Sequence, residues 1–177
     1  MHILFLIGAT IYMFVLLLFN QSIRMSVKNL RFSQTLPISK AAAWSFFSDP
    51  KNLSKITPAE MNFVIHSDIS NNKTYPGQII CYTVSPLFNI PLNWVTEITH
   101  VSEPDFFVDE QRKGPYKLWH HQHHFIEKEN GVEMIDILHY EIPFGFIGNI
   151  LNRLFIEKKI KEIFTFRNKA LIEIFGV

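Results

Sequence analysis

Residues 147–175, IGNILNRLFIEKKIKEIFTFRNKALIEIF, decide the fold, because they read as one helix placed after a run of strands. Ile147, Ile150, Leu151, Leu154, Phe155, Ile160, Ile163, Phe164, Leu171, Ile174 and Phe175 fall on one broad apolar stripe. The other face carries Lys158, Lys159, Lys161, Glu162 and Lys169, and Gly176 stands in the C-cap position. At roughly 28 residues and about 42 Å, the helix is long for a small domain. It needs a large curved surface on which to bury its stripe.

The preceding sequence offers that surface as strands. Leu30 to Pro37 alternates with period two, and Ser39 then caps a helix over Lys40 to Phe47 that sets Trp44 and Phe47 on one face. Asp49-Pro50 starts a second short helix, closed by Thr57-Pro58. Further strands are expected at Met61–His66, Gln78–Val84, Leu92–Val101, Phe106–Arg112, Tyr116–Glu127 and Val132–Ile142. Their turns are supplied by Asn71-Asn72 with Tyr75-Pro76-Gly77, by Glu103-Pro104-Asp105, by Lys113-Gly114-Pro115 and by Glu129-Asn130-Gly131. The class is α+β: a curved antiparallel sheet of about seven strands wrapped around a long C-terminal helix, with two short helices after the first strand.

Composition narrows the function. The chain has 177 residues, 47% of them hydrophobic, with 17 Phe and 3 Trp, enough for a sizeable core. The 17 basic and 16 acidic residues are mixed and net +1, so there is no electrostatic footprint for nucleic acid. Cys81 is alone, which excludes an internal disulfide and a thiolate metal site and fits a reducing compartment. From Ile3 to Phe19 there is no charged residue, the lower limit of length for a membrane span. Residues 1–24 therefore read as an N-terminal membrane segment ahead of a domain at 25–177. Arg24, Lys28 and Arg31 after the span place that domain on the cytoplasmic side of a single-pass membrane protein. A cleaved signal fits less well, with no basic residue before the run and no small-x-small pattern after it. The segment from Met25 also reads as an ordinary start, in which case residues 1–24 are an upstream extension and the domain is cytoplasmic.

Trp119-His-His-Gln-His-His-Phe125 puts imidazoles on both faces of one strand. Trp119, His121, His123 and Phe125 share one face, and Leu118, His120, Gln122 and His124 share the other. An inner face that pairs aromatics with titratable groups describes a pocket wall. In the same phase, the inward residues of neighbouring strands are Trp94, Thr96 and Ile98; Phe107, Asp109 and Gln111; and Met134, Asp136, Leu138 and Tyr140.

The order of elements and specific words in the chain resemble the START-like or Bet v 1-like superfamily, more narrowly its bacterial ligand-binding branch, related to polyketide cyclase and coenzyme-Q-binding domains. The words are Phe46 to Leu53, Ile56-Thr57-Pro58, Trp94 to Ile98, Phe107 to Gln111, Gly114-Pro115-Tyr116, Trp119 to Phe125, and Asp136 through Tyr140 to Pro143-Phe144-Gly145. The resemblance implies a helix-grip fold with an internal cavity for a small hydrophobic or lipid-like molecule, a quinone or a polyketide-type ring being candidates. Its ligand-binding residues would be Trp94, Thr96, Phe107, Asp109, Gln111, Trp119, His121, His123, Phe125, Met134, Asp136 and Tyr140.

Three functions remain open on the sequence. The leading one is binding or transfer of the apolar molecule. The second is an enzyme of cyclase or isomerase type, in which His121 with Asp109 or Asp136 forms the acid–base pair. The third is an interaction module whose interior is filled by its own aromatics. His121 and His123 can also present two imidazoles to a zinc-like ion, with Asp109 or Asp136 as third ligand. A hydrogen-bond network that fixes strand register explains the same residues, so no metal and no cofactor is expected. Gly145-Phe-Ile-Gly148 has too few glycines and no lysine for a phosphate loop, and reads as the hinge into the terminal helix.

Overall fold

A computed structural model describes residues 27–69 and 73–176. Its strands are β1 (Lys28–Leu36), β2 (Val64–Ile65), β3 (Gln78–Val84), β4 (Leu92–Ser102), β5 (Phe106–Lys113), β6 (Leu118–Lys128) and β7 (Gly131–Glu141). They form one antiparallel sheet in the order β1-β7-β6-β5-β4-β3-β2. From β3 to β7 each strand pairs with the next in sequence, and β1 pairs with β7 along its whole length, Lys28 opposite Tyr140 and Leu36 opposite Val132. Two register shifts between β4 and β5, at Val95/Thr96 and Ile98/His100, bend the strands and deepen the curve of the sheet. Gly131 makes the β6–β7 turn at φ 136°, where a Cβ would stand 2.1 Å from the Leu36 carbonyl oxygen.

The short helices form where local chemistry directs. In α1 (Lys40–Phe47) the Ser39 hydroxyl accepts from the Ala42 amide at 3.2 Å, and Trp44 and Phe47 are buried. Both rings pack on Phe125. A 3₁₀ segment, Pro50–Ile56, follows, with Asp49 accepting from the Lys51 amide and Pro50 in the first turn. The next 3₁₀ turn, Ala59–Met61, takes up residues expected to begin a strand, so β2 is only Val64–Ile65.

The terminal helix departs from the single expected stripe. It runs as α2 (Gly145–Leu151), one wide π turn (Asn152–Ile156) and α3 (Glu157–Phe175). Its second half grips the sheet with Ile160, Phe164, Arg167, Ala170 and Leu171. In the first half Gly148 and Asn152 face inward, while Ile147, Leu154 and Phe155 stand more than half exposed. At 3.6 residues per turn the apolar row through Ile147, Ile150 and Leu154 continues to Lys158 and Lys161, not to Ile160 and Phe164. The two rows are out of register, and the wide turn lets only the second follow the sheet.

Among the described residues no helix is long and apolar enough to cross a membrane, which corrects the expected single-pass placement. The span expected over residues 3–19 and the Asn71-Asn72 turn lie outside the described residues.

Candidate functional site

Between the concave face of the sheet and α3 lie two adjoining chambers of about 150 and 180 Å³. They share the residues Leu53, Ile56, Tyr82, Trp119, His121 and Arg167. The first chamber is closed by Phe46 and Phe47 at the end of α1 and by Ile80, Thr96, Ile98 and Phe107 from the sheet. The second is walled by Met61, Phe63, Trp94, Tyr116, Ile160 and Phe164. Trp94 meets Trp119 edge-on at 5.3 Å and Tyr116 at 5.5 Å, so the aromatics brace one another around the space rather than fill it.

A compact polar group sits at the junction of these apolar walls. His121 and His123 alternate inward on β6, with Asp109 opposite His121 on β5 and Asp136 opposite His123 on β7. On one side His121 Nδ1 and His123 Nε2 lie 3.4 and 2.8 Å from Asp109 Oδ2. On the other, His121 Nε2 and His123 Nδ1 each lie 2.9 Å from Asp136 Oδ1. The His123 Nδ1 contact is short but poorly aligned, leaving that nitrogen without a hydrogen bond, so it counts as charge attraction. Arg167 reaches from α3 to Asp136 Oδ1 at 3.3 Å, its guanidinium 5.3 Å from the Phe47 ring and 5.7 Å from Phe164.

Burial and charge act against each other at every member. Burial pushes the Asp136 carboxyl up, but the Arg167 charge and the His121 hydrogen bond outweigh it and hold the group well below its ordinary value. Asp109 is likewise lowered, burial being overcome by the His123 hydrogen bond and the charges of both histidines. Burial and the neighbouring His123 charge lower His121. Burial also opposes charge on His123, but the hydrogen bond to Asp109 and the attraction of Asp136 win and raise it. Burial pushes the Tyr82 and Tyr116 hydroxyls up, so both stay neutral donors on the chamber walls.

The expected site residues divide into four groups. Thr96, Phe107, Asp109, Trp119, His121 and His123 line the first chamber, and Trp94 lines the second with Trp119 and His121. Asp136 lies behind the histidines, 5% exposed. Phe125, Met134 and Tyr140 are core residues that line neither chamber, and Gln111 instead ties the β5–β6 turn, bonding both the amide and the carbonyl of Tyr116. On the outer face His120 and Glu110 pair at 3.0 Å and His124 bonds Gln122, a half-buried ladder away from the cavity. Arg167 was not among the expected residues. Its spacing, three after Phe164 and four before Leu171, was the available signal that it faces inward.

No family model matches the chain, and no curated protein matches it. Solved structures do. A major latex-like protein of ginseng, Panax ginseng, aligns with TM-score 0.62 at 13% identity, over 84% of this chain and 97% of its own. A protein of Mycobacterium smegmatis aligns with TM-score 0.59 at 14% identity, over 84% of this chain and 98% of its own. The fold is the helix-grip fold of Bet v 1-like and START-like proteins. A protein of Chromobacterium violaceum shares the helix-grip architecture with TM-score 0.63 at 10% identity, over 84% of this chain and 97% of its own. At such identities the likeness is one of fold, and function has to be argued from the cavity.

Proposed function

We propose that this helix-grip protein binds or transfers a small hydrophobic molecule, a ring-bearing compound of quinone or polyketide type, held in the two chambers under α3. The observation that carries the reading is the apolar, aromatic-walled space that meets a buried cluster of polar groups at one wall. An apolar void of about 150 Å³ accommodates a benzene-sized ring, so each chamber suits one ring and neither suits a long acyl chain. A module without a ligand would use its aromatics to close this space. The narrower likeness to the bacterial ligand-binding branch, carried by Phe46 to Leu53 and Trp119 to Phe125, supports the same reading.

Titration with 1,4-naphthoquinone, followed by quenching of tryptophan fluorescence, tests it. Saturable one-to-one quenching that falls at least tenfold in affinity when Ile98→Trp fills the first chamber supports the proposal. Quenching that rises linearly with quinone and ignores the filled chamber contradicts it.

A further inference from the structure

The four inward polar residues of the cluster are not equivalent. The ligand atoms of Asp109, His121 and His123 lie within 4.8 Å of one another, and all three residues line the first chamber. Asp136 is on the far side of both rings and lines neither chamber. The nitrogens that face Asp109 are His121 Nδ1 and His123 Nε2; the opposite nitrogens, His121 Nε2 and His123 Nδ1, both face Asp136 Oδ1 at 2.9 Å. One carboxylate thus stands with two imidazole nitrogens at the cavity wall, and a second takes the outward N–H of His121 and lies 2.9 Å from the outward nitrogen of His123. That division into an inner carboxylate with two imidazoles and an outer carboxylate that orients them is how histidine metal sites are built. Arg167 at 3.3 Å anchors the outer carboxylate on Asp136.

We propose that Asp109, His121 and His123 bind a divalent first-row transition ion of the zinc or iron(II) type, with Asp136 as positioning residue and the ion's open coordination positions turned into the first chamber. Metal–ligand distances of about 2.0–2.2 Å set the ligand atoms of a tetrahedral ion roughly 3.4 Å apart; His121 Nδ1 already lies 3.4 Å from Asp109 Oδ2, and the ion would take the place of the proton shared between His123 Nε2 and Asp109 at 2.8 Å. Two imidazoles and one carboxylate suit such borderline ions and leave coordination sites for a ligand oxygen. The reading replaces the sequence expectation of no metal. It goes beyond apolar-ligand binding and stands or falls separately from it.

Cobalt(II), added to the metal-stripped full-length chain with no organic ligand present, is the probe. One equivalent should saturate the visible d–d bands of a nitrogen- and oxygen-coordinated ion, and zinc should displace it. Asp109→Asn, nearly isosteric and so less disruptive than His123→Ala, should weaken binding at least tenfold, with circular dichroism confirming the fold. Asp136→Asn should weaken it about tenfold to a hundredfold and also shift the bands, a spectral change that loss of packing alone would not produce. The outer-face double variant His120→Ala/His124→Ala should bind as the parent does. Absence of saturable bands overturns the proposal, and so do bands that survive Asp109→Asn but disappear in the outer-face variant. Failure of the cobalt test leaves the quinone titration untouched, and the reverse holds.

Discussion

Replacing Arg167 with Met tests the electrostatic construction of the site. The side chain is 10% exposed, its guanidinium flanked by Phe47 and Phe164 and placed 3.3 Å from Asp136. Met fills much of the volume, so the loss reports the charge. Removing one member of a buried ion pair costs roughly 3–5 kcal/mol, because the remaining charge is stranded in a poorly solvating interior. His121 still donates to Asp136 at 2.9 Å, which puts the expected cost at the low end, about 3 kcal/mol. In a domain of this size, that lowers Tm by roughly 6–12 °C. The cost depends on pH with a definite sign. Asp136 has a folded pKa well below its ordinary value, so in the parent it contributes stability above the unfolded carboxylate value, and that contribution is lost as pH falls through the folded pKa. The Arg167 charge is the leading cause of that lowering, and without it the folded pKa rises. The gap between parent and Arg167→Met is therefore widest near neutral pH and narrows as pH is lowered through the carboxylate range. Urea unfolding followed by tryptophan fluorescence at a series of pH values measures it. Addition of Asp136→Leu to Arg167→Met should recover part of the loss, since an apolar replacement of a buried pair is near neutral. A single variant with the parent's unfolding midpoint at neutral pH, or a gap that widens in acid, refutes the reasoning.

Two more outcomes follow from the geometry. Trp119→Ala removes a ring common to both chambers, so 1,4-naphthoquinone affinity should drop at least tenfold while the chain stays folded by circular dichroism. Gly131→Ala should destabilise by more than about 1 kcal/mol, because the position has φ 136° and the added methyl would meet the Leu36 carbonyl oxygen at 2.1 Å; thermal unfolding reads it directly.

Most of the sheet was legible because a period of two leaves little freedom. Once Trp94, Thr96 and Ile98 are placed inward on β4, and Trp119, His121 and His123 on β6, the neighbouring phases follow, and Asp109 and Asp136 must flank the histidines. Depth along a strand is less visible. Tyr140 shares its face with Asp136 and stands opposite Trp119, yet it lines neither chamber, being fully buried in one cluster with Leu138, Ile160 and Phe164. The helix misled for a related reason. Its apolar composition suggests one stripe, whereas the spacing from Leu154 to Ile160 breaks the 3.6-residue repeat and signals the wide turn. A charge on a helix ordinarily belongs to solvent, and only the spacing of Arg167 from Phe164 and Leu171 says otherwise. Met61 to His66 has the composition of a strand, but Pro58 and the 3₁₀ turn over Ala59–Met61 claim its first residues.

The space under α3 has the size and lining to hold a ring-sized apolar molecule. Native mass spectrometry of the full chain purified from cells without added ligand, followed by organic extraction of the same sample, would detect such an occupant. A mass increment is expected that survives gentle ionisation, yields a ring-bearing compound on extraction and is lost in Ile98→Trp. A protein that carries no increment from cells and gains none on incubation with ring-bearing quinones would contradict that expectation.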